Sequence, residues 1–201
     1  MRPTTYRKVA LACLLYGAAS QAAQADAANY LTNPGAEDGL APWTTFGGGP
    51  ALRLSNEAHD GAQSLLMSGR TAFYHGPSYD LKPLADGGPL IEGKRYQASV
   101  WVRHTQATEQ TLYLNVKKVD GSGTDYHTIA SRSIQPGVWT QITGFYVPEI
   151  NGVLSTLNLL PPVNSFANGI HLEHCTLPTT ALLSTQLHPY LSGVVCPPLP
   201  V

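Results

Sequence analysis

Glu37 is placed where a carboxylate could bind a cation. It follows Asn33, Pro34 and Gly35, which favour a turn for different reasons: asparagine bonds its own backbone, proline fixes φ and glycine permits a positive φ. Backbone carbonyls point in unusual directions at such a turn, so a carboxylate there suits an oxygen-rich cation site as well as plain solvent. The sequence leaves both interpretations open.

A second candidate cluster is the run His171-Leu172-Glu173-His174, because histidine and glutamate are metal ligands. The run lacks the i, i+4 histidine spacing of a zinc-protease helix. It lies in a predicted strand, where side chains three positions apart point to opposite faces. We therefore expect no zinc site here.

The cysteines do not have zinc-finger spacing either. Cys13 lies in the apolar segment near the N-terminus, which leaves Cys175 and Cys196. In an oxidising compartment this pair suits a disulfide that ties the Pro-rich C-terminus to the body of the protein. Two free thiols are the alternative, and both interpretations stay open.

The N-terminal residues predict a secretory signal peptide over 1–25. A basic segment without acids precedes the short apolar run VALACLLYGAA, and either Ala23-Gln24-Ala25 or Ala25-Asp26-Ala27 then offers a small-residue cleavage site. The apolar run is well short of the ~20 residues that a membrane span needs. We expect a secreted, extracellular protein without a membrane partner; a retained N-terminal anchor is the alternative.

The charge of the remaining chain argues against acidic partners. Cleavage after residue 25 removes three of the 12 basic residues and none of the 13 acidic ones, which leaves a formal charge of −4. The pairs Lys94-Arg95 and Lys117-Lys118 are isolated and form no basic stripe. A neutral polymer is therefore a better candidate ligand than a nucleic acid. About 175 residues fit one domain.

The remaining chain has the sequence pattern of an all-β protein, in which short apolar stretches are separated by glycine, proline and asparagine. In residues 94–104, Tyr96, Ala98, Val100 and Val102 alternate with polar or larger residues, which predicts a half-buried strand. Residues 111–119 repeat the pattern. There the inward positions are Leu112, Leu114 and Val116, and the outward positions are Tyr113, Asn115 and Lys117.

A glycine-rich turn at 120–123 predicts a hairpin over residues 111–134. Further strands are predicted in ALRLS, QSLLMS, TAFYHG, WTQITGFYV, GVLSTLNLL and GIHLEHCTL. Eight or nine short strands separated by turn signals suggest two antiparallel sheets packed face to face. We therefore predict a jelly-roll β-sandwich.

Five segments, taken in order, resemble the carbohydrate-binding modules of the family 4, 9 and 22 type, which often accompany xylanases and other secreted glycanases. The segments are NPGAEDGLAPW, HDGAQSLLMSGRTAFYHGPSYDL, GKRYQASVWVRH, VDGSGTDYHTI and GVWTQITGFYVP. RTAFYHG and VDGSGT look most similar to the xylan-binding family 22 branch. The resemblance implies a galactose-binding-domain-like jelly roll over residues 26–177, followed by a Pro-rich tail at 178–201.

The resemblance also implies a structural calcium ion at the edge of the sandwich. Its ligands come from the opening motif, the His-x-Gly turn and the last strand, which places them at Glu37, Asp60 and Glu173. Calcium takes six to eight oxygen ligands, so it suits such a set. The family ends in an aromatic-x-Val-Asp-Asp run, whereas this chain has Ile170 to His174 there.

For the sugar, the resemblance implies an open groove on one sheet and no catalytic residues. Tyr74 stands where the family 22 branch has tryptophan, and its ring can stack on the C–H face of a sugar. Arg70 offers a polar fork for hydroxyls. Lys118 and Tyr126 complete the candidate carbohydrate contacts.

Three functions remain to be weighed. The first is a non-catalytic module that binds a plant or microbial polysaccharide, xylan or β-glucan, and partners a glycoside hydrolase. The second is an adhesion or structural domain that has lost the groove, since Phe46, Lys118 and Leu160 stand near positions where the family has arginine, tyrosine and glutamate. The third is a small secreted glycanase that works with two carboxylates.

Overall fold

The computed structural model describes residues 29–48, 51–163 and 169–177. The predicted signal peptide at 1–25, the tail at 178–201 and Cys196 lie outside these residues. Within them, ten strands and one short helix follow in order: β1 Thr44–Phe46, β2 Ala51–Ser55, β3 Ser64–Ser68, β4 Gly76–Asp80, α1 Lys82–Ala85, β5 Tyr96–His104, β6 Gln110–Asp120, β7 Gly123–Ile134, β8 Thr140–Tyr146, β9 Thr156–Val163 and β10 Ile170–Thr176.

The described strands form two five-stranded sheets whose neighbours are all antiparallel. The front sheet has the order β1-β4-β9-β6-β7, and the back sheet has the order β2-β3-β10-β5-β8. Most strands that pair with each other are distant in sequence, so long stretches of chain connect them. The all-β sandwich predicted from the sequence is confirmed. None of the described helices is long and apolar enough to cross a membrane.

Alternation along β5 and β6 builds the core between the sheets. The four β5 residues predicted to face inward, Tyr96, Ala98, Val100 and Val102, are all 0% exposed. The inward residues of β6 are equally buried, and each fully buried leucine or valine stabilises the fold by roughly 1.5–3 kcal/mol. The core also includes Leu65, Met67, Leu81, Ile142, Leu157, Leu159, Ile170 and Leu172.

The β6–β7 hairpin agrees with its prediction. Asp120 pairs with Gly123 at the tip, where Gly123 adopts a φ of +108° that favours glycine. Asp120 Oδ1 accepts hydrogen bonds from the amide and the hydroxyl of Ser122, at 2.9 and 2.6 Å. The Ser122 hydroxyl, the Asn151 amide and the Lys118 ammonium hold the pKa of Asp120 well below its usual range.

The beginning and the end of the described domain meet. The side chain of Asn29 donates to the Cys175 carbonyl at 3.1 Å and accepts from the Leu177 amide at 2.9 Å. The Cys175 amide also donates to the Pro34 carbonyl at 3.2 Å. Burial raises the pKa of the Cys175 thiol, which is only 2% exposed. The opening turn is therefore fixed to the last strand by direct hydrogen bonds.

One predicted strand is wrong. The first five residues of TAFYHG belong to a loop over residues 69–75, which we call the aromatic loop, and β4 begins only at Gly76. Within this loop the His75 amide donates to the Ala72 carbonyl at 3.2 Å, which closes a turn. Local turn bonding therefore outweighs the strand preference of Phe73 and Tyr74.

Candidate functional site

A groove with a volume of about 480 Å³ lies on the front sheet. Its walls come from β1, the aromatic loop, β6, β7 and β9. The lining residues are Phe46, Phe73, Tyr74, Asn115, Tyr126, Thr128 and Leu160. Because β9 and β6 are central strands of this sheet, the floor of the groove is rigid, and a loop supplies one wall.

Aromatic rings line the groove and remain accessible. Phe73, Tyr74 and Tyr126 are 50%, 44% and 53% exposed. The Phe46 ring packs edge-on against Tyr74 and Tyr126, with centroid distances of 6.5 and 6.3 Å. A cluster of exposed rings of this kind is unusual on a protein surface without a ligand. Their faces suit stacking on the C–H face of a sugar.

The aromatic loop is held from below by Arg70. Arg70 is 5% exposed, and its Nη2 donates to the Phe73 carbonyl at 3.0 Å. Burial lowers the pKa of Arg70 to about 10. The structure therefore gives Arg70 a positioning role in place of the sugar contact expected from the sequence, because its guanidinium faces the loop backbone and does not line the groove.

Gly47 allows the loop to pack against the end of β1. Its φ is +93°, and a Cβ added there would lie 2.4 Å from His75 Cδ2 and 3.0 Å from Tyr74 Cε2. At the neighbouring Gly48, an added Cβ would meet no atom of the described residues within 4 Å. The close approach at Gly47 thus sets the position of the Tyr74 ring.

The structure brings Tyr126 into the groove but not Lys118. Strand alternation turns Lys118 to the other face of β6, where its Nζ lies 2.9 Å from Asp120 Oδ2 and 2.7 Å from the Glu149 carbonyl. The neighbouring Lys117 takes the groove side, with its Nζ 5.2 Å from the centroid of the Phe46 ring. Lys118 therefore faces away from the groove in this structure.

Lys118 lines a second cavity of about 300 Å³ near the free edge of β7. Burial, followed by the charge of Asp125, raises the pKa of Tyr146 in this cavity to about 12. The remaining lining residues are Val116, Asp125, His127, Phe145, Val147 and Glu149.

Sequence reasoning missed Phe73, Asn115 and Thr128 as groove residues. The alternation that buries Leu114 and Val116 turns Asn115 outward. The sequence pattern predicts this orientation but assigns Asn115 no function. Pairing with β7 then places Thr128 opposite Asn115. An outward polar residue on a central strand was thus the available signal for Asn115.

The tryptophans do not line the groove. Trp43 is 5% exposed and packs edge-on against Tyr79 in the core. Trp101 lies on the back sheet with the His59 ring stacked on it at 3.8 Å, and Trp139 meets the same histidine edge-on at 6.0 Å. Trp43 therefore belongs to the core, and the other two tryptophans form a separate half-buried group.

Glu37 and Glu173 hold one loop, residues 59–63, from two sides. Glu173 is 1% exposed; its Oε1 accepts from the Asp60 amide at 2.8 Å, and its Oε2 accepts from the His59 amide. Glu37 Oε1 accepts from the amides of residues 62 and 63 at 3.0 and 3.1 Å. Both carboxylates therefore bind backbone amides of the same loop.

The residues around this loop could supply oxygen ligands to a calcium ion. Two carboxylates flank the loop, and the carboxylate of Asp60 accepts from the Gly61 amide at 3.0 Å. Among the described residues, no group of three or more His, Cys, Asp or Glu side chains gathers as a metal shell. The oxygen ligands fit calcium in type, and backbone carbonyls would have to complete the shell.

The sandwich and its aromatic groove define a sugar-binding module. Residues 28–160 match the family model described as "Carbohydrate binding domain", and the chain belongs to that family. It is a carbohydrate-binding module.

Two enzymes contain segments similar to this chain. Endo-1,4-beta-xylanase A of Thermotoga neapolitana is 30% identical over 126 residues, which is 61% of this chain and 12% of the enzyme. Exoglucanase XynX of Acetivibrio thermocellus is 28% identical over 134 residues, covering 65% of this chain and 12% of the enzyme. The similarity thus covers about an eighth of the length of each enzyme.

Solved structures share the fold. The xylan-binding domain from family 22 superposes with a TM-score of 0.65 at 24% identity, covering 77% of this chain and 96% of that domain. The C-terminal family 22 module of Clostridium thermocellum Xyn10B gives 0.66 at 22% identity, covering 78% and 97%.

Proposed function

We propose that the groove binds a chain of xylan or a related β-linked polysaccharide and does not cleave it. The observation that carries this proposal is the group of exposed rings, Phe73, Tyr74 and Tyr126, around a groove wide enough for sugar residues. Each ring offers an apolar face to the C–H groups of a sugar. The names of the similar proteins, which include xylanases and xylan-binding domains, favour xylan.

The absence of catalysis in this proposal rests on the composition of the groove. Glycoside hydrolysis ordinarily requires two carboxyl groups across the scissile bond. None of the described lining residues of the groove carries a carboxylate. Asp125 and Glu149 both line the second cavity, so this cavity contains the two carboxyl groups that a glycanase would need. A glycanase is therefore the alternative function. Release of reducing sugar from a glycan panel would favour the glycanase.

Affinity electrophoresis on xylan, mixed-linkage glucan and cellulose tests the proposal. We expect retardation by xylan, and we expect Tyr74→Ala to remove most of it, because the ring that stacks on the sugar is lost. Phe145→Ala is a matched control, since Phe145 is also 44% exposed but lies on β8 of the back sheet. Equal mobility of wild type and Tyr74→Ala would favour an adhesion or structural domain.

We also propose a structural calcium ion between Glu37, Glu173 and the carbonyls of the 59–63 loop. The support is that both carboxylates face one loop at the junction of the opening turn and the last strand. Calcium at 100 times its dissociation constant stabilises a protein by about 2.7 kcal/mol. Thermal melts in calcium and in chelator test this. Equal midpoints would mean that the amide bonds hold the junction without metal.

The module is further proposed to be secreted and to work beside a glycoside hydrolase. The support is the signal-peptide pattern of residues 1–25 and the presence of similar segments in xylanases. N-terminal sequencing of protein recovered from the culture medium tests secretion, and the expected first residue is Asp26. A first residue upstream of position 26 would contradict this cleavage site.

A further inference from the structure

Asn115 is a buried polar residue at the floor of the groove. It lies on β6, the strand between β9 and β7 in the front sheet, and is 5% exposed. Its Oδ1 has no hydrogen-bond partner within the part of the chain that the structure describes. Buried polar atoms in native proteins are nearly always paired, so an unpaired one at a groove floor requires an explanation.

Both neighbouring strands are irregular at this position. The pairing of β6 with β7 shifts register between Leu114 and Asn115, and the pairing of β6 with β9 shifts between Tyr113 and Asn115. Bulges re-aim side chains and concentrate near functional sites. Two bulges that meet at one residue set the Asn115 carboxamide apart from the regular ladder on either side.

The surroundings of Asn115 are largely apolar. Aromatic rings and Leu160 make most of the lining, Thr128 is the cross-strand neighbour, and no charged side chain belongs to the described lining set. A sugar stacked on these rings through its C–H face projects its equatorial hydroxyl groups from the edge of its own ring, where one of them can reach the floor. There the carboxamide provides both an acceptor and a donor.

We propose that Asn115 is a specificity-determining residue that forms a hydrogen bond with a hydroxyl of the bound sugar. A hydroxyl both donates and accepts, so it bonds whichever end of the carboxamide faces the groove after rotation about χ2, a torsion with a broad two-fold profile. The groove therefore selects neutral glycan chains whose hydroxyl at this position is free. A chain acetylated there loses the bond and introduces a bulky ester. This inference rests on the proposed sugar-binding function.

Calorimetric titration with a linear xylooligosaccharide and its acetylated form tests the inference. We expect wild type to prefer the free sugar. Asn115→Leu removes both polar ends at similar volume, and we expect it to weaken binding of the free sugar by about tenfold and to reduce the acetylation penalty. Thr143→Val, which removes an exposed hydroxyl from β8 on the back sheet, is the control and should keep both the affinity and the penalty.

A melt of the same variant separates binding from a structural role. Replacing an unpaired buried amide by an apolar group of similar shape is close to neutral or stabilising, so Asn115→Leu should melt at or above the wild-type temperature. A lower melting temperature with unchanged affinity would overturn the inference. If Asn115→Leu does not fold, Asn115→Ala is titrated, and undiminished affinity overturns the inference equally.

The two proposals fail in different ways. If wild type binds no glycan, the proposed function and this inference both fall. If Tyr74→Ala weakens binding while Asn115→Leu leaves affinity and the acetylation penalty unchanged, the groove binds sugar and only the role of Asn115 is refuted.

Discussion

Replacing Glu173 by glutamine should destabilise the domain strongly. The carboxylate is 1% exposed and accepts one backbone amide on each oxygen, from His59 and Asp60. Glutamine keeps one acceptor but turns an NH₂ group toward the other amide. That amide then loses its acceptor, beside a side chain that is itself only 1% exposed. The 59–63 loop should consequently lose one of these two hydrogen bonds to β10.

The expected loss follows from these two bonds. A hydrogen bond to a charged group contributes about 1.5–3 kcal/mol, and leaving a buried donor unsatisfied costs about 1–3 kcal/mol. Since one bond is lost and the other loses its charge, we expect a total of about 2–4 kcal/mol. At roughly 3 °C per kcal/mol for a domain of this size, the melting temperature should fall by about 6–12 °C.

Differential scanning calorimetry in chelator measures this loss without any contribution from metal. Glu37→Gln is the matched control, because Glu37 accepts from the same loop but is exposed, so water can replace its bonds. We expect a drop of no more than about 1 kcal/mol for the control. A shift for Glu173→Gln that is no larger than that of Glu37→Gln would refute the assignment of Glu173 as the buried anchor.

Three further outcomes are expected. Burial lowers the pKa of His171 below 6.5, so the neutral form is favoured in the folded state; stability should fall as pH drops below about 6.5, and melts of His171→Gln from pH 5 to 7 should show a smaller dependence. Gly47→Ala should weaken xylan retardation because its Cβ meets the Tyr74 ring; Gly48→Ala has a similarly positive φ but open space and should retain binding, so equal losses would contradict the packing argument. Arg70→Met should also weaken retardation several-fold, although Arg70 does not line the groove, because the aromatic loop loses its anchor; unchanged mobility would show that the loop holds itself.

The sandwich was predictable because the burial pattern of its long strands is local. In β5, alternate residues from Tyr96 to Val102 are apolar and fully buried, and the β6–β7 turn carries its own glycine signal. The aromatic loop was not predictable in the same way. Phe73 and Tyr74 favour strands by type, and only the tertiary contacts of Arg70 and Gly47 fix them in a turn.

The site was predictable where it depended on residue type and unpredictable where it depended on register. Tyr74 and Tyr126 were expected and line the groove, whereas Lys118 and Arg70 face elsewhere. A shift of one residue along a strand turns a side chain to the opposite face, so Lys117 and Lys118 cannot exchange roles. Bulges such as those beside Asn115 are set by both neighbouring strands, and they leave no signal in one segment alone.

The resemblance identified the acids at the junction, but it did not reveal how they act. Glu37 and Glu173 both hold the 59–63 loop, as expected of residues that join the first turn to the last strand. The bonds run through backbone amides, which carry no sequence signature. Gly61 fits this arrangement, since an added Cβ would lie 2.4 Å from Glu37 Oε1.

Titration of ¹⁵N-labelled protein with a linear xylooligosaccharide shows directly whether the groove on the front sheet binds sugar. We expect saturable shifts of the backbone amides around Tyr74, Asn115 and Tyr126. Shifts confined to the group around His59 and Trp101 on the back sheet, or no shifts at all, would contradict it.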